Sequence, residues 1–390
     1  MISVKEAQAH LFSLATPMGT ESVPLEQANG RVLGQDVIAR RDQPPFSSSA
    51  MDGYAIANES ASAGDMFHVI GEAAAGHQFQ GSLLTGQAVR IFTGAPVPEG
   101  TTRILIQEDV ERLGDKITLC EGADSALYIR PSGGDFMAGH VVHAGTVLHP
   151  SQIALMAAMN TPMVDVVKKP VVALMSTGDE LVLPGETPQS DQIVASNAYG
   201  LAALLKDSGA ETRVLPIARD TLASLRSVFD LAKDADLIVT IGGASVGDHD
   251  LVAEASANMG MEQSFYKVAM RPGKPLMAGR FNNHAMVGLP GNPVSAMVCG
   301  HVFLVPMIKK MLGLLHVLPE TFETTLLNDI PANGPRTHYC RAMLSPKGLF
   351  VAERQDSSLL TILASANALA IREPNASSAK AGERIKYIPL

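Results

Sequence analysis

The sequence contains no tryptophan, only three cysteines, and fewer basic than acidic residues. Lys and Arg together number 30 and Asp and Glu 39, so the formal net charge is −9. An acidic chain without basic runs is not expected to bind nucleic acid, because contacts to phosphates dominate that affinity. The three cysteines are scattered and lack metal-ligand spacing, which is typical of reduced thiols in the cytosol. We therefore predict a cytoplasmic protein that does not bind nucleic acid.

The sequence also lacks a hydrophobic run of membrane-spanning length. Its most apolar stretch, residues 294–308, is interrupted by Ser295, His301 and Pro306. At about 15 residues it is short for a bilayer, which needs roughly 20. The N-terminal segment has apolar residues at helical spacing, which indicates an amphipathic helix rather than a targeting segment. We predict a buried helix for the apolar stretch and no membrane association.

The rest of the composition favours large hydrophobic cores and several domains. Hydrophobic residues make up 46% of the 390 residues, and a chain of this length favours roughly two to four domains. Short strands punctuated by Gly and Pro predict a mainly β domain over about residues 40–140. From about residue 170, apolar strands alternate with helices, which predicts a parallel sheet covered on both faces. Beyond about residue 320 the helical pattern stops, and short strands predict a small β-barrel or sandwich.

The central region is predicted to contain two helices and five strands. The helices cover residues 197–208, with Asn197 as N-cap, and 221–234. A polar or glycine-rich loop follows every strand, and ligands of open parallel sheets bind outside the carboxyl ends of the strands. We therefore expect the five loops to meet at one edge and to form a binding site. The strands are 170–175, 213–217, 236–241, 263–269 and 285–288.

These loops combine glycines, hydroxyls, carboxylates and cations. Glycines let backbone N–H groups approach an anion, and Ser245 between Gly243 and Gly247 suits such a site. Pro293 is expected to begin the helix after the last strand, where free N–H groups favour anions. The cations, which would stabilise a phosphate or another oxyanion, are Lys267, Arg271 and Lys274. The carboxylates, which suit Mg²⁺, are Asp179, Glu180, Asp220, Asp248 and Asp250.

Each loop also has an interpretation without a ligand. The Gly242-Gly243 pair could form only a strand-to-helix turn, and Asp248 and Asp250 could cap a helix. Arg271 and Lys274 taken alone would be solvated surface charges. No GxxxxGK[ST] motif occurs and no GxGxxG follows a strand, which disfavours phosphate-loop and dinucleotide chemistry. Three histidines lack metal-ligand spacing and are interpreted as structural: His140, His143 and His149.

Motifs along nearly the whole chain resemble those of one enzyme family. The central ones are STGDEL (176–181), SN (196–197), GGASVGDHD (242–250), MRPGKP (270–275) and GLPGNPVSA (288–296). The N-terminal ones are PPFSSSAMDGYAI (44–56), IFTGAPVPEG (91–100) and RPSGGDFMAG (130–139). Near the C-terminus, Arg336 and Arg341 precede QDSSLLTILASANAL (355–369). In this order the motifs resemble the molybdopterin molybdenumtransferases, the family of MoeA and the gephyrin E domain.

The resemblance implies a multidomain fold of class α/β plus β. A molybdopterin-binding three-layer α/β domain with a parallel-rich sheet is expected at 1–20 plus 169–319. A linking domain for dimerisation is expected at 21–38 plus 139–168, and an inserted mainly β domain with SAMDGYA at 39–138. A small β-barrel domain is expected at 320–390. Proteins of this family are elongated homodimers in which the inserted domain of one subunit completes the cleft of the other.

The implied activity is a step of molybdenum cofactor biosynthesis. Proteins of the family insert molybdenum from molybdate into adenylated molybdopterin in a Mg²⁺-dependent step and release AMP. Besides the second subunit and the pterin substrate, candidate partners are the molybdopterin adenylyltransferase and the acceptor molybdoenzymes. A molybdopterin adenylyltransferase and a non-catalytic molybdopterin-binding scaffold remain as alternatives, although the adenylyltransferase would need only the central domain.

By position, the resemblance implies four groups of site residues. The catalytic group is Asp52, Thr93, Asp135, Glu180, Asp220, Asp250, Lys267 and Arg271. The group expected to hold the adenylated pterin is Thr177, Gly178, Asp179, Ser196, Asn197, Gly242, Gly243, Ser245, Gly247, Asp248, Pro272, Gly273, Lys274, Pro290, Gly291, Asn292 and Pro293. Molybdate is expected at Arg341 and Ser357 together with Lys267, Arg271 and Lys274. Asp220 and Asp250 are expected to hold Mg²⁺.

Two positions depart from the family pattern. Arg271 stands where lysine is frequent, which keeps the charge but changes the donor geometry. Asp356 precedes Ser357 where glycine is usual, and adds a negative charge near the expected molybdate pocket. If Asp356 faces that pocket, we expect Asp356→Gly to tighten molybdate binding.

Overall fold

The computed structural model describes residues 1–243, 262–281 and 284–390. The chain divides into two compact units that are each discontinuous in sequence. One unit contains residues 1–21, 30–32 and 166–390, and the other contains residues 22–29 and 33–165. Two strands, Thr20–Pro24 and Met163–Val167, span the sequence boundaries between the units. The finer division into four domains stays a prediction.

The smaller unit is built around a mixed six-stranded sheet. Its strands, in spatial order, are Arg103–Ile106, Gly53–Ile56, Gln87–Ile91, Met66–Ala73, Lys116–Leu119 and Val110–Leu113. The last two form a hairpin, and Gly114 adopts a φ of +62° in its two-residue turn. Strand pairs Ser48–Ser49 with Ile129–Arg130 and Val37–Ile38 with Val141–Val142 complete the β structure. Its helices are Leu25–Gln27 and Gln107–Asp109, both 3₁₀, and Pro150–Ala158.

The larger unit contains the predicted three-layer α/β domain. In spatial order its six strands are Glu211–Val214, Val171–Ser176, Leu237–Ile241, His284–Leu289, Pro275–Phe281 and Glu262–Lys267. Side chains alternate between the two faces, so Val172 and Leu174 enter one core while Ala173 and Met175 enter another. Helices Val4–Leu14, Asn197–Asp207 and Pro293–Cys299 cover the first face, and Leu222–Leu231 covers the second.

One central strand was absent from the sequence interpretation. Pro275–Phe281 runs antiparallel to both of its neighbours, so the sheet is mixed rather than fully parallel. The loop before it reverses the chain and brings Lys267 opposite Pro275. The edge strand Glu262–Lys267 is antiparallel to Pro275–Phe281, so it runs in the same direction as the other four strands. Those four strands are parallel to one another. Their carboxyl ends therefore lie at one edge, as predicted.

Helix boundaries differ from the predicted ones by a few residues. Asn197 is the first helical residue rather than the N-cap, which is Ser196. Leu222–Leu231 begins after Thr221, whose hydroxyl accepts a hydrogen bond from the Ser224 N–H. The N-terminal helix Val4–Leu14 begins with a capping box between Ser3 and Glu6 and buries Ala7, Leu11 and Leu14, which confirms its amphipathic character.

The apolar stretch near residue 300 is a core helix. It continues from Pro293–Cys299 through a π-helical turn, Gly300–Leu304, into Val305–Met311. Pro293–Met311 is long and apolar enough to cross a membrane by length and composition alone, yet 72% of its most apolar window is buried inside the protein. The prediction of a buried helix is therefore confirmed.

The C-terminal part is a small barrel. Its strands are Phe322–Thr325, Thr337–Ser345, Gly348–Val351, Ala368–Arg372 and Arg384–Pro389. A parallel bridge between Leu326 and Leu349 joins the two edges and closes it. The short strand Met270–Arg271 of the α/β domain pairs in parallel with Thr337 and His338 and extends the barrel sheet. The prediction that helices stop beyond residue 320 was wrong, because Leu360–Ser365 is helical.

Candidate active site

A cavity of about 540 Å³ lies at the carboxyl ends of the parallel strands. Four of the five predicted loops line its walls. The remaining loop, at residues 271–275, contributes only Pro275. The cavity contains most of the residues predicted to hold the pterin, and two of the predicted catalytic carboxylates. These lining residues are Thr177, Gly178, Glu180, Ser196, Asn197, Asp220, Gly242, Gly243, Pro290, Gly291, Asn292 and Pro293.

Backbone hydrogen bonds beyond the strands hold these loops together. The Thr177 N–H donates to the Ile241 carbonyl at 3.0 Å, and the Gly242 N–H donates to the Leu289 carbonyl at 3.1 Å. The side chain of Asn197 donates to the Gly291 carbonyl at 2.7 Å. The strand-end loops are thus tied to one another, which gives the cavity a fixed shape.

Gly242 permits the closest approach between two of the loops. Its φ of +96° lies in a region that favours glycine, and a Cβ there would stand 2.7 Å from the Thr177 carbonyl oxygen. The Thr177 hydroxyl is buried without a hydrogen-bond partner in the described part of the chain. A Cβ at Gly242 would stand 3.1 Å from this hydroxyl, which therefore lies against the Gly242 loop and is shielded from solvent.

The carboxylates of the cavity are positioned by Arg219, which the sequence interpretation did not include among the site residues. Its Nη1 donates to the carbonyls of Gly178, Asp179 and Leu181, at 3.3, 3.0 and 3.0 Å. The Asp179 carboxylate in turn accepts a hydrogen bond from the Asp220 N–H at 3.1 Å. Asp179 therefore supports Asp220 rather than lining the cavity itself. A guanidinium that gathers several carbonyls is recognisable only in the folded chain.

An apolar wall is the second feature that sequence reasoning missed. The short strands Leu181–Val182 and Ile193–Val194 pair in parallel beside the cavity. Ile193 and Val194 line it and remain 59% and 42% exposed. The sequence signal available was a pair of adjacent β-branched residues shortly before the SN motif.

Serine 357 contacts the loop at the end of the last parallel strand. The Ser357 hydroxyl accepts a hydrogen bond from the Asn292 side-chain amide at 3.1 Å, and its carbonyl accepts one from the Val294 N–H at 3.1 Å. One N–H at the start of the helix after Pro293 is therefore already used within the protein. Asp356 directs its carboxylate to the Ser358 N–H and hydroxyl, at 2.9 and 2.6 Å, which lowers the pKa of Asp356.

The predicted cations lie apart from the first cavity. None of Lys267, Arg271 and Lys274 is among the described residues that line it. Arg271 instead lines a second cavity of about 490 Å³ together with His338 and Arg372. Lys274 closes the intervening loop, since its carbonyl accepts the Val268 N–H at 3.0 Å. Pro272 and Gly273 belong to the same loop and are not among the described residues that line the first cavity.

Asp52 and Thr93, two of the predicted catalytic residues, lie together in the smaller unit. The Thr93 N–H and hydroxyl both donate to the Asp52 carboxylate at 2.7 Å. These bonds hold the pKa of Asp52 below its usual value, the backbone bond first. Arg90 donates to the Gly53 carbonyl at 3.1 Å and packs against the rings of Tyr54 and Phe92.

The third predicted catalytic residue of this unit lines a separate cavity. Asp135 borders a space of about 620 Å³ together with Phe46 and Gly94. Gly94 follows Thr93 directly in sequence, so the cavity begins beside the Asp52–Thr93 pair. The three residues therefore belong to one region of the smaller unit.

Four predicted residues lie outside the described residues: Ser245, Gly247, Asp248 and Asp250. Within the described residues, no three His, Cys, Asp or Glu side chains cluster in a way that could hold a metal ion. The three cysteines are free, and burial raises the pKa of the Cys340 thiol to about 12 and that of Cys299 further still. These two thiols are therefore protonated and unsuited to nucleophilic chemistry.

Comparisons with known proteins agree with the motifs. Three family models match successive parts of the chain. They are the MoeA N-terminal region (domain I and II) at residues 2–160, a probable molybdopterin binding domain at 173–310, and the MoeA C-terminal region (domain IV) at 323–390.

Relatives match over nearly their full lengths. A molybdopterin molybdenumtransferase of Nostoc sp. is 35% identical over 95% of this chain and 90% of its own. Molybdopterin molybdenumtransferase 2 of Mycobacterium tuberculosis is 36% identical over 95% of both chains. The crystal structure of a molybdopterin biosynthesis MoeA protein from Pyrococcus horikoshii superposes with a TM-score of 0.85 at 28% identity, covering 100% of this chain and 99% of that one.

Proposed function

The chain belongs to the molybdopterin molybdenumtransferase (MoeA) family of molybdenum cofactor biosynthesis, and we propose that it inserts molybdenum from molybdate into adenylated molybdopterin and releases AMP. The observation that carries this proposal is the cavity at the carboxyl ends of the parallel strands. Its volume of about 540 Å³ suits a small-molecule ligand, and its walls combine glycine loops with carboxylates.

The cavity offers distinct surfaces to the parts of such a ligand. The loops at Gly178 and Gly242 bring backbone close to the cavity, which suits phosphate groups. Ile193 and Val194 present exposed apolar surface that suits the flat face of an adenine or pterin ring.

Mg²⁺ fits the donor set of the cavity. Asp220 and Glu180 line it, and carboxylate oxygens beside phosphates are the ligands that Mg²⁺ prefers. We propose that these two residues hold the ion together with Asp250, which lies outside the described residues. When bound, Mg²⁺ would supply positive charge that stabilises the phosphoanhydride oxygens during cleavage.

Molybdate is proposed to bind on the cationic side of the site. Arg271 supplies positive charge in the second cavity, and we propose that Lys267 and Lys274 add to it. The Ser357 hydroxyl lies beside Asn292 of the first cavity. A dianion held between the cations and Ser357 would be next to a ligand in that cavity.

The smaller unit is proposed to act in a homodimer. Asp52, Thr93 and Asp135 would orient the reacting groups in the cleft of the second subunit. The Asp52 carboxylate is held ionised by Thr93, so it can accept a hydrogen bond from the substrate.

One assay tests the proposal against its alternatives. The purified chain is supplied with adenylated molybdopterin, molybdate and Mg²⁺, and AMP is followed. Molybdate-stimulated AMP release is expected. Formation of adenylated molybdopterin from ATP would instead indicate an adenylyltransferase. The absence of both reactions would indicate a scaffold.

A matched pair of variants localises the activity. Asp220→Asn should reduce AMP release strongly, because it removes a carboxylate of the cavity. Asp230→Asn removes an equal charge from the exposed surface of helix Leu222–Leu231 and should leave the rate unchanged. Equal effects of the two substitutions would contradict the assignment of the cavity.

A further inference from the structure

The cavity of about 620 Å³ in the smaller unit is a groove with preformed walls. It is lined mainly by two segments, residues 43–48 and 130–135. The Gly133 N–H donates to the Pro44 carbonyl at 2.9 Å and ties the two segments together. Prolines, whose ring fixes the backbone φ, make the walls stiffer still. The prolines that line the groove are Pro44, Pro45 and Pro131. We call this cavity the proline groove.

Phe46 supplies an aromatic surface in the proline groove. It lines the groove and is 42% exposed, so part of its ring remains available for contact. Aromatic side chains pack well against other flat rings, and the neighbouring prolines add apolar walls. A preformed space of this volume with an exposed aromatic side chain suits the ring of a small molecule.

Two charged side chains of opposite sign also line the proline groove. Arg130 and Asp135 are both exposed, and neither belongs to an ion pair within the described ranges. Their backbones are fixed, because Arg130 pairs with Ser48 in a short β-ladder and the Asp135 N–H donates to the Gln43 carbonyl at 2.9 Å. The groove therefore offers a ligand one carboxylate and one guanidinium, both carried by fixed backbone.

A pterin ring carries the matching pattern of hydrogen-bonding groups. Its 2-amino-4-oxo edge has two adjacent N–H donors, the 2-amino group and N3–H, followed by the O4 acceptor. A carboxylate accepts hydrogen bonds from two adjacent donors at once, and a guanidinium donates to O4. Adenine presents one donor beside one acceptor on its edge, so it satisfies a carboxylate less well. Of the two rings in the proposed substrate, the pterin is therefore the one that fits this groove.

We propose that the proline groove binds the pterin ring of the substrate. Asp135 accepts hydrogen bonds from the 2-amino group and N3–H, Arg130 donates to O4, and Phe46 packs against the face of the ring. This inference rests on the proposed function, which names the substrate and gives Asp135 a part in the reaction. It also separates the two rings of the substrate, because the apolar wall at Ile193 and Val194 is then left for the adenine.

Two free pteridines test the contact with Asp135. Lumazine, which is 2,4-dioxopteridine, has an oxygen in place of the 2-amino group of pterin, so the Asp135 carboxylate would face an acceptor instead of a donor. The Kd of each ring is measured by fluorescence titration of the full-length protein. Wild type should bind pterin at least about tenfold more tightly than lumazine, because a site built for a donor rejects an acceptor in its place. Equal affinities, or no binding of pterin at millimolar concentration, would overturn the inference.

Asp135→Asn should reverse this preference. The asparagine amide offers one donor and one acceptor, which match O2 and N3–H of lumazine. The variant should bind pterin about tenfold more weakly than wild type does and should bind lumazine more tightly than pterin. The matched control Glu121→Gln removes an equal charge from an exposed turn of the same unit and should keep the wild-type preference. Equal weakening of both rings, or of neither, in Asp135→Asn would overturn the assignment of Asp135.

Arg130 and Phe46 are tested by what the two rings share. Pterin and lumazine both keep O4 and a flat face, so Arg130→Met and Phe46→Ala should each weaken both rings by the same factor, about three- to tenfold. Phe46→Tyr keeps the aromatic ring and should retain the wild-type affinity. Phe322 on the barrel is 40% exposed, much as Phe46 is, and Phe322→Ala is the control that should change neither Kd. Unchanged pterin binding in Arg130→Met and Phe46→Ala would place the ring elsewhere and overturn the inference.

Guanosine and adenosine separate a pterin site from a nucleoside site. Guanosine presents the same 2-amino-6-oxo pattern on a purine, whereas adenosine lacks it. Adenosine should not displace pterin, and guanosine should do so more weakly than pterin itself binds. Tighter binding of guanosine than of pterin would assign the groove to a guanine nucleotide and overturn the proposal.

Failure of the proposed function would look different. Binding of the free rings needs neither molybdate nor an adenylate, so it is measured apart from AMP release. Without molybdate-stimulated AMP release in wild type the proposed function fails, whereas the groove is judged by its preference for pterin. With that activity intact, Phe46→Ala should raise the KM for adenylated molybdopterin and leave the KM for molybdate unchanged. An unchanged KM for adenylated molybdopterin would remove only the groove.

Discussion

The environment of His338, which lies beside Arg271, predicts how the stability of the protein depends on pH. His338 is 9% exposed, lines the second cavity and stands opposite Arg271 in the sheet register. Its Nε2 is buried without a partner in the described part of the chain. Burial, and then the charges of Arg271, Arg341, Arg336 and Arg372, lower the pKa of His338 to about 4. The imidazole is therefore neutral in the folded protein at neutral pH.

The direction of the effect follows from the two pKa values. In the unfolded chain the imidazole takes up a proton near its ordinary pKa of 6.5, whereas the folded chain does so only near about 4. The unfolded state therefore binds more protons between these values, and stability falls as the pH drops through this window. At about 1.4 kcal/mol per pKa unit, the loss attributable to His338 is about 3 kcal/mol.

Comparison with a variant isolates this contribution. The free energy of unfolding is measured by urea denaturation from about pH 7 to about pH 4 in wild type and His338→Gln. The wild type should lose about 3 kcal/mol more than the variant over that range. His301, whose pKa burial also lowers to about 4, is present in both proteins and cancels in the difference. Parallel curves for the two proteins would refute the reasoning.

Three further predictions concern the site. Thr93→Val should raise the pKa of Asp52 toward its ordinary value, because it removes the hydroxyl donor at 2.7 Å. An NMR titration of the Asp52 carboxyl that matches wild type would contradict this. Gly242→Ala should lower the free energy of unfolding, measured in urea, by at least about 1–2 kcal/mol, because Gly242 has a positive φ and the new Cβ would clash with Thr177. The control Gly291→Ala should be nearly neutral, because its Cβ meets only an ordinary contact at 3.6 Å. Arg219→Met should accelerate amide exchange in residues 178–181, because it removes the charged donor that holds three carbonyls. Unchanged exchange would argue against the positioning role of Arg219.

The fold was largely readable from sequence because its signals are local. Apolar runs of strand length, separated by amphipathic helices, predicted the central sheet and the edge at which its loops meet. The exception is Pro275–Phe281, whose direction depends on where the preceding loop sends the chain. The short helix Leu360–Ser365 was missed for a related reason, since one and a half turns leave little periodicity to detect.

The site was less predictable, because several of its contacts join residues far apart in sequence. Motifs identified glycine loops and carboxylates, and the structure brings Glu180 and Asp220 together with the loops at Gly178, Gly242 and Gly291 in one cavity. They could not indicate that the Arg341 side chain turns inward to Gln355, since a basic residue in a strand gives no sign of its direction. Nor could they separate Asp179, which supports Asp220, from the carboxylates that line the cavity.

The barrel explains why Arg271 lies at a place that the central sheet alone would not create. The short strand Met270–Arg271 leaves the α/β domain and pairs with Thr337 and His338, so barrel backbone fixes the position of Arg271. From the same barrel strand, Arg341 holds the segment that places Ser357 against Asn292. A protein consisting of the α/β domain alone would keep the glycine-lined cavity but lose both of these supports. An enzyme that only adenylates molybdopterin has no need to hold a second, inorganic dianion, whereas one that inserts molybdenum does. The supports contributed by the barrel therefore favour insertion over adenylation.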